Sequence, residues 1–329
     1  GASFTYDSDY AADGTVALSA RLPLTPRPFA AQRVAPYLEG LLPENRETRR
    51  LWADQLGIDP DDVFGMLAAM GWDCAGAVQF CRPEDLDQLV RRGGAYERLT
   101  SAGIGARLRL LQAEPAGWTM RGEHWSLGGQ QEKFALAHLE AEWFEAHGSA
   151  ATTHILKPGI SRLREQALVE HATMAAAGAM GIDVAHTEYE SFGDQSAIVV
   201  TRFDRTVHGR AVERLHQEDF CQALGRPPDR KYESRGGPTL RDMVGLLDRQ
   251  STQLEADRLA LADFVAINVV AGAPDGHAKN ISLLRASGFT AVAPLYDLAT
   301  ALVYDSTVVD RTVAVSIGGD RRVDRIRSR

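Results

Sequence analysis

The sequence predicts a two-lobed α+β fold: a strand-rich lobe, then a helical lobe, with an α/β accessory subdomain ahead of both. Three observations predict it. Residues near 120–203 carry short alternating runs that read as strands. From about residue 204 the apolar residues recur at helical spacing. Residues 1 to about 115 mix one strand-like stretch with four helical ones. The divisions drawn from this are 1–118, 119–203 and 204–329.

In the accessory subdomain, Val16-Ala-Leu-Ser-Ala20 reads as a strand. Helical patterns follow at 35–42, 46–56, 61–70 and 83–91, with Asp, Pro and Glu signals at their starts. In the next lobe, Trp125-Ser126-Leu-Gly-Gly129-Gln-Gln-Glu-Lys133 sets two glycines between strand-like runs. Paired glycines let backbone N–H groups approach an anion closely. The string is neither G-x-G-x-x-G nor a Walker A loop, and a plain β-turn is the more common explanation of Gly-Gly.

The segment Thr152-Thr-His-Ile-Leu-Lys157 alternates and is β-branched at its start, so it reads as a strand ending in Lys157, stopped by Pro158 and Gly159. Residues 163–180 read as a helix. Leu163, Ala167 and Met174 form one apolar row, and Leu168, Ala172, Ala175 and Ala179 form its neighbour. Glu170 lies near the middle. Lys157 and Glu170 are each open to a bland reading, as a solvated strand end and a solvated helix face. A strand lysine followed by a helix glutamate is also how kinases hold the lysine against the α- and β-phosphates.

In the helical lobe, residues 225–239 are rich in Pro, Gly and charge and form a loop, either substrate-facing or a passive connector. Residues 241–249 and 256–271 read as helices, the second strongly apolar through Leu259, Phe264, Ile267 and Val270. It feeds the chain into Gly272-Ala-Pro-Asp275-Gly-His277-Ala-Lys279-Asn280. Two apolar runs around Ser287-Gly288 then read as a hairpin that folds Asn280 back beside Asp297. An Asp, an Asn and a second Asp suit phosphoryl transfer. One carboxylate can orient a hydroxyl, while the amide oxygen and the other carboxylate hold Mg²⁺ on a nucleotide. The D-x-x-x-x-N spacing followed by a metal-binding Asp is the protein-kinase arrangement, which makes the expected fold protein-kinase-like. Asp and Asn are also ordinary turn residues. The motif gains weight because the lysine and glutamate lie upstream in kinase order.

The wording and order of these motifs resemble the HipA toxin kinases, the serine/threonine kinase toxins of bacterial type II toxin–antitoxin pairs. The strings are Ser126-Leu-Gly-Gly-Gln-Gln-Glu-Lys133, Thr153-His-Ile-Leu-Lys157, Arg202-Phe-Asp-Arg205, His216-Gln-Glu-Asp-Phe-Cys-Gln-Ala-Leu224, Asp275-Gly-His-Ala-Lys-Asn280 and Tyr296-Asp297. Gly40-Leu-Leu-Pro-Glu44 and Gly71-Trp-Asp-Cys-Ala-Gly76 extend the resemblance over almost the whole chain. It implies that 1–118 is a HipA N-terminal-like accessory subdomain, 119–203 the nucleotide-binding lobe and 204–329 the catalytic lobe. The implied cofactors are ATP and Mg²⁺, bound between the lobes.

The resemblance implies Asp275 as catalytic base, Asn280 and Asp297 as Mg²⁺ ligands, and Lys157 as the nucleotide-phosphate lysine. It places His277 close to the phosphates and Gly129 in the phosphate loop. Phe203 matches the hinge residue whose backbone N–H meets adenine, with Thr201 offering its carbonyl. Ser126 matches the serine these enzymes phosphorylate on themselves, which ejects the loop and turns the kinase off. Ala273 stands where the family usually has Asn, followed by Pro274, which is expected to alter loop rigidity more than chemistry. Chains of this kind normally extend further at both ends, so an N-terminal strand region and C-terminal helices are expected beyond this sequence. The implied partners are a HipB-like helix-turn-helix antitoxin and, mainly through it, operator DNA. The implied target is a protein, an aminoacyl-tRNA synthetase such as glutamyl-tRNA synthetase, whose modification stalls translation and gives dormancy.

Composition agrees. The 329 residues are 44% hydrophobic and 24% charged, as in a globular chain with a sizeable core. Cys74, Cys81 and Cys221 are odd in number and lack metal spacing. With no signal peptide and no apolar run of membrane-spanning length, this points to the cytoplasm and to no membrane partner. A net charge of −8 and a pI near 5.6 argue against a stand-alone DNA binder. Arg321, Arg322, Arg325, Arg327 and Arg329 cluster at the end and read as a solvated tail. Two classes of function remain: an active kinase toxin that also serves as co-repressor with its antitoxin, or a catalytically weak kinase fold acting mainly through an antitoxin complex. A small-molecule phosphotransferase on the same fold is a further enzyme option.

Overall fold

The computed structural model describes residues 3–91, 94–113, 125–322 and 326. The expected boundary at 118/119 and Arg325, Arg327 and Arg329 lie outside the described residues. The chain forms two compact units, each assembled from separate segments. One, the sheet unit, comprises Leu41–His171 and Ala185–His216. The other, the helical unit, comprises Gly1–Gly40, Ala172–Val184 and Gln217–Arg329.

The sheet unit is built on a six-stranded antiparallel sheet. Its spatial order is Ala95–Leu99, Glu142–His147, Phe134–Leu139, His154–Lys157, Gln195–Thr201 and Thr187–Phe192. The central strands carry β-branched and large apolar residues, and Phe134, Leu136, Leu156 and Ile198 are fully buried. The helix Ser101–Ala113 packs on the last two strands. The edge strand Ala95–Leu99 and that helix had no strong sequence signal. The strand is exposed at most positions and lacks clean alternation. The strand end at Lys157 is where the sequence places it, opposite Ile198.

The helical unit holds the helices Ala31–Glu39, Leu240–Gln250 and Leu254–Val270. It also holds a three-stranded sheet in the order His216–Asp219, Ser282–Ala286, Phe289–Val292. The hairpin turns at Ser287-Gly288 as expected, with Ala286 opposite Phe289 and Leu283 opposite Val292. Thr239 and Asp242 form a reciprocal capping box that starts the helix Leu240–Gln250.

Three expectations are corrected. Residues 16–20 form no strand, only an isolated bridge from Ser19 to Leu22. Their backbone is held instead by side chains: the Leu18 N–H donates to the Tyr6 hydroxyl at 2.7 Å and the Ala20 N–H to Glu218 at 2.9 Å. The helix expected at 163–180 runs Gln166–Ala179, because Glu165 takes a left-handed φ of 54° and interrupts it. Of its two apolar rows, that of Leu168, Ala172, Ala175 and Ala179 faces outward; the buried side includes Gln166, Ala167, Glu170, Thr173, Met174 and Ala177. In the helix Leu254–Val270, Leu259 and Val270 are exposed, and Asp257, Leu261, Phe264, Ile267 and Asn268 are buried. No helix among the described residues is long and apolar enough to cross a membrane.

Candidate active site

Lys157 and Glu170 are brought together in the sheet unit. The Lys157 ammonium donates to Glu170 Oε1 at 2.8 Å, with both side chains about nineteen-twentieths buried. Two buried charges of opposite sign are held this way only when further hydrogen bonds satisfy them. Gln166 supplies one, donating to Glu170 Oε2 at 3.2 Å. Its own Oε1 accepts from Gln131 at 3.1 Å and from the Ile160 N–H at 3.2 Å. A polar chain thus runs from the glycine-rich loop through Gln131, Gln166 and Glu170 to Lys157.

In that loop Gly129 has φ 105°, which a side chain rarely adopts, and a Cβ there would meet Lys133 Nζ at 2.6 Å. Lys133 Nζ donates to the Gly128 carbonyl at 2.8 Å, and the Glu44 N–H donates to the Gly129 carbonyl at 3.0 Å. Ser126 is fully buried in a short strand parallel to Asp73–Cys74, its hydroxyl donating to the Leu41 carbonyl at 2.8 Å. Leu41 and Glu44 therefore abut this loop from 85 residues away in sequence.

Thr201 ends its strand opposite His154, and its N–H donates to the His186 carbonyl at 2.9 Å. Phe203 follows between two buried charges. Arg202 donates to Asp204 at 2.9 and 3.0 Å, to Asp73 at 3.3 Å, to Thr152 and to the Cys74 carbonyl. Arg205 donates to Asp73 at 2.9 Å and to the carbonyls of Cys74 and Gly76. Arg214 adds a third guanidinium on Asp73, and the Gly76 N–H donates to Asp204 at 2.6 Å. Burial raises the Asp73 and Asp204 carboxyls, but the guanidiniums outweigh it and hold both below the usual carboxylate range. Burial, with Asp73 beside it, pushes the Cys74 thiol up to about 12, so Cys74 is inert packing. The network fastens the backbone on both sides of Phe203 to the Gly71–Gly76 motif. His154 lies in the same sheet against His138 and Trp143. Burial, with His138 next to it, lowers its pKa to about 4 and keeps it neutral at pH 7.

In the helical unit, the loop after Leu254–Val270 carries Asp275, His277 and Asn280. Asn280 Nδ2 donates to the Asp275 carbonyl at 2.8 Å, and so does the His277 N–H at 2.8 Å. Committing Nδ2 to the loop presents Oδ1 as the atom of Asn280 that can coordinate a cation. The Asp275 carboxylate is 61% exposed, with His277 Nε2 3.4 Å from Oδ1. Gly276 is needed for close approach, since a Cβ there would meet the Asn268 side chain at 2.3 Å. Asn268 is buried and donates to the Phe264 carbonyl at 2.7 Å. Ala273 is buried, with its N–H donating to the Asn268 carbonyl at 2.8 Å, so its own backbone closes the loop.

Lys279 anchors the loop from beneath, donating to Asp219 at 2.6 Å and to the Gly40 carbonyl at 3.2 Å. Asp219 also caps the helix Phe220–Leu224 in a capping box with Gln222, which in turn donates to the Tyr37 carbonyl at 2.8 Å. Tyr296 donates to the Lys279 carbonyl at 2.7 Å and pairs with Ser282 at 2.6 Å. Burial, with Asp219 nearby, raises the Tyr296 phenol well above its ordinary value, so it remains a donor. This bond ties the neighbour of Asn280 to the neighbour of Asp297. Asp297 itself has φ 56°, a left-handed conformation that non-glycine residues hold at a cost of about 1–3 kcal/mol and that clusters at functional sites.

Lys157, Glu170, Ser126, Gly129, Thr201 and Phe203 thus fall in the sheet unit, and Asp275, His277, Asn280 and Asp297 in the helical unit. Sequence reasoning missed Gln166, Gln131, Asp219, Lys279 and the Asp73–Arg202–Asp204–Arg205–Arg214 network. Apart from Gln166, which had no such signal, they lie in or near the quoted motif strings. It missed Tyr232 as well, whose hydroxyl donates to Asp275 Oδ1. Asn280 and Asp297 offer only oxygen donors, the set that suits Mg²⁺, and the buried Lys157 ammonium suits phosphate oxygens.

A family model described as HipA-like C-terminal domain matches residues 125–328, and one described as HipA N-terminal domain matches residues 1–81. Y4mE of Sinorhizobium fredii, whose name carries the word kinase, is 39% identical over 307 residues, covering 92% of this chain and 72% of that protein. The serine/threonine-protein kinase toxin HipA of Shewanella oneidensis is 30% identical over 298 residues, covering 84% of this chain and 65% of that protein. The solved complex of Shewanella oneidensis HipA, HipB and operator DNA superimposes with a TM-score of 0.82 at 25% identity. That match covers 98% of this chain and 76% of the solved chain.

Proposed function

The chain belongs to the HipA family of serine/threonine kinase toxins, and from that premise we propose that it transfers the γ-phosphate of ATP to a hydroxyl of a protein. The observation that carries this reading is the loop in which Asn280 Nδ2 donates to the Asp275 carbonyl while the Asp275 carboxylate stays exposed; the buried Lys157–Glu170 pair in the sheet unit supports it. In this reading Lys157, oriented by Glu170, binds the α- and β-phosphates. The Gly128-Gly129 backbone and His277 bind phosphate oxygens, and Thr201 and Phe203 meet adenine through their backbones. Asn280 Oδ1 and Asp297 would hold Mg²⁺, which when bound would neutralise phosphate charge. Asp275 accepts the proton of the incoming hydroxyl as its oxygen bonds to the γ-phosphorus and the bond from that phosphorus to the β-bridging oxygen breaks, releasing ADP. Positioning and charge stabilisation supply most of the acceleration.

Ser126 is the self-inactivation site in this account. Its hydroxyl is buried against the Leu41 carbonyl, and a phosphoserine carrying about −1.5 to −2 charges has no room there, so modification requires the loop to leave. The target proposed is an aminoacyl-tRNA synthetase, glutamyl-tRNA synthetase first, with arrest of translation and dormancy as the result. The partner proposed is a HipB-like helix-turn-helix antitoxin, which carries the chain to operator DNA as co-repressor. The net charge of −8 fits DNA affinity that resides in the partner. Replacing either proposed metal ligand, Asn280→Ala or Asp297→Ala, abolishes transfer from Mg-ATP. Variants that keep the wild-type rate would overturn the assignment. Recovery of the chain alone from its native operon, binding operator DNA tightly at physiological salt, would overturn the partner.

A further inference from the structure

Tyr232 belongs to the segment 225–239, which sequence alone leaves open between a substrate-facing loop and a connector. The structure gives this segment a defined frame. Two single-turn helices, Pro228–Arg230 and Glu233–Arg235, flank Tyr232, and its carbonyl accepts from the N–H groups of Arg235 at 2.9 Å and Gly237 at 3.0 Å. The next residue, Glu233, fixes the frame to the strand Thr312–Ile317 by accepting from the Ser316 N–H at 2.5 Å and the Ser316 hydroxyl at 2.6 Å. The residue before it, Lys231, is buried. From this frame the Tyr232 ring stands edge-on to the buried His277 ring at 4.9 Å, with Lys231 Nζ and Arg235 Cζ over it at 5.7 and 5.4 Å. Its hydroxyl donates to Asp275 Oδ1, the oxygen that also faces His277 Nε2.

We propose that Tyr232 is the positioning residue for the acceptor base: its hydroxyl holds the Asp275 carboxylate in the one orientation from which it can receive the proton of a protein hydroxyl. The inference rests on the kinase reading above. An aspartate 61% exposed on a loop has rotamers to choose from, and a general base works only within hydrogen-bond reach of its proton. Groups of this kind must be held to about 0.5 Å, by side chains that are themselves locked. Tyr232 meets that requirement through the Glu233–Ser316 bonds on one side and the His277 ring on the other. The segment 225–239 is then part of the catalytic apparatus, and the acceptor hydroxyl approaches Asp275 past Tyr232.

Tyr232→Phe tests this, because it keeps the ring against His277 and removes only the hydroxyl. Phosphate incorporation from Mg-ATP is measured by intact mass into the chain itself and by radiolabel into dephosphorylated casein. Calorimetric ATP affinity and melting temperature are measured alongside. The expected result is a transfer rate lower by about 10- to 100-fold, the loss that follows from a misplacement of about 1 Å. ATP affinity and melting temperature stay unchanged. The same substitution made in Asp275→Asn then costs nothing further, because Tyr232 acts through that carboxylate. A Tyr232→Phe rate equal to wild type overturns the proposal while the kinase reading stands. A faster rate also overturns it, by showing that the phenol blocks the base. A further loss in the Asp275→Asn background overturns it too, since the effect then lies elsewhere. If wild-type protein transfers phosphate to neither acceptor, the kinase reading falls and this role falls with it.

Discussion

Removing Glu170 takes from the buried Lys157 ammonium the carboxylate it donates to. The two side chains are 4% and 5% exposed, with the Lys157 nitrogen 2.8 Å from the Glu170 oxygen. At that distance the attraction is about 6 kcal/mol for an effective dielectric near 20, much of it offset by desolvation of both charges. The observable loss is that of breaking a buried pair, about 3–5 kcal/mol. Glu170→Ala is therefore expected to lose about 3–5 kcal/mol at pH 7 relative to wild type. Glu170→Gln keeps an acceptor oxygen and loses less. Urea unfolding followed by tryptophan fluorescence at pH 7 measures this. A loss below about 1 kcal/mol at pH 7, the size of a surface ion pair, would refute the reasoning.

Asp204→Ala leaves Arg202, Arg205 and Arg214 facing Asp73 alone and should destabilise by about 3–5 kcal/mol, read from the same unfolding curves. Wild type should keep the contribution of Asp73 and Asp204 at every pH above the ordinary carboxylate range. It should lose that contribution only as pH falls below about 4, because both folded-state pKa values are depressed. His154, with its pKa lowered to about 4, is neutral in the fold and charges readily when unfolded. Wild-type stability should therefore fall by about 3 kcal/mol from this residue as pH drops from 6.5 to 4, and His154→Gln should remove that part of the slope. After incubation with Mg-ATP, intact mass should show one added phosphate that maps to Ser126 and is absent in Ser126→Ala. The phosphorylated form should bind ATP weakly, and modification at another residue would contradict the switch.

The parts legible in the sequence were those fixed by local pattern. The hairpin 282–292 was readable because alternation and a Ser-Gly turn specify register within a dozen residues. Lys157 at a strand end and Glu170 on the next helix were readable because period and order place them. The buried side of that helix was misjudged. Its alanine-rich composition offers two apolar rows of equal weight, and the burial of Gln166 and Glu170 follows from their polar partners, which periodicity does not record. Residues 16–20 look like a strand, yet Tyr6 and Glu218 hold their backbone, and Glu218 lies 198 residues from Ala20. The Asp73–Arg202–Arg205–Arg214 network joins residues 129 to 141 positions apart, and Tyr232 meets Asp275 across 43. Contacts of that range leave no trace in a local window. They enter a sequence reading only through motif strings such as Gly71–Gly76 and Arg202–Arg205, whose wording was visible before its reason was.

The measurement that bears most directly on the central claim compares wild type with Asp275→Asn, following transfer from radiolabelled Mg-ATP to protein and calorimetric ATP binding in parallel. Wild type should label protein. Asp275→Asn should bind ATP with the wild-type affinity and transfer phosphate about 10²- to 10⁴-fold more slowly, the range a positioned acid or base contributes. Wild-type transfer by Asp275→Asn, or equal loss of binding and turnover, would contradict the assignment of Asp275 as the group that receives the acceptor's proton.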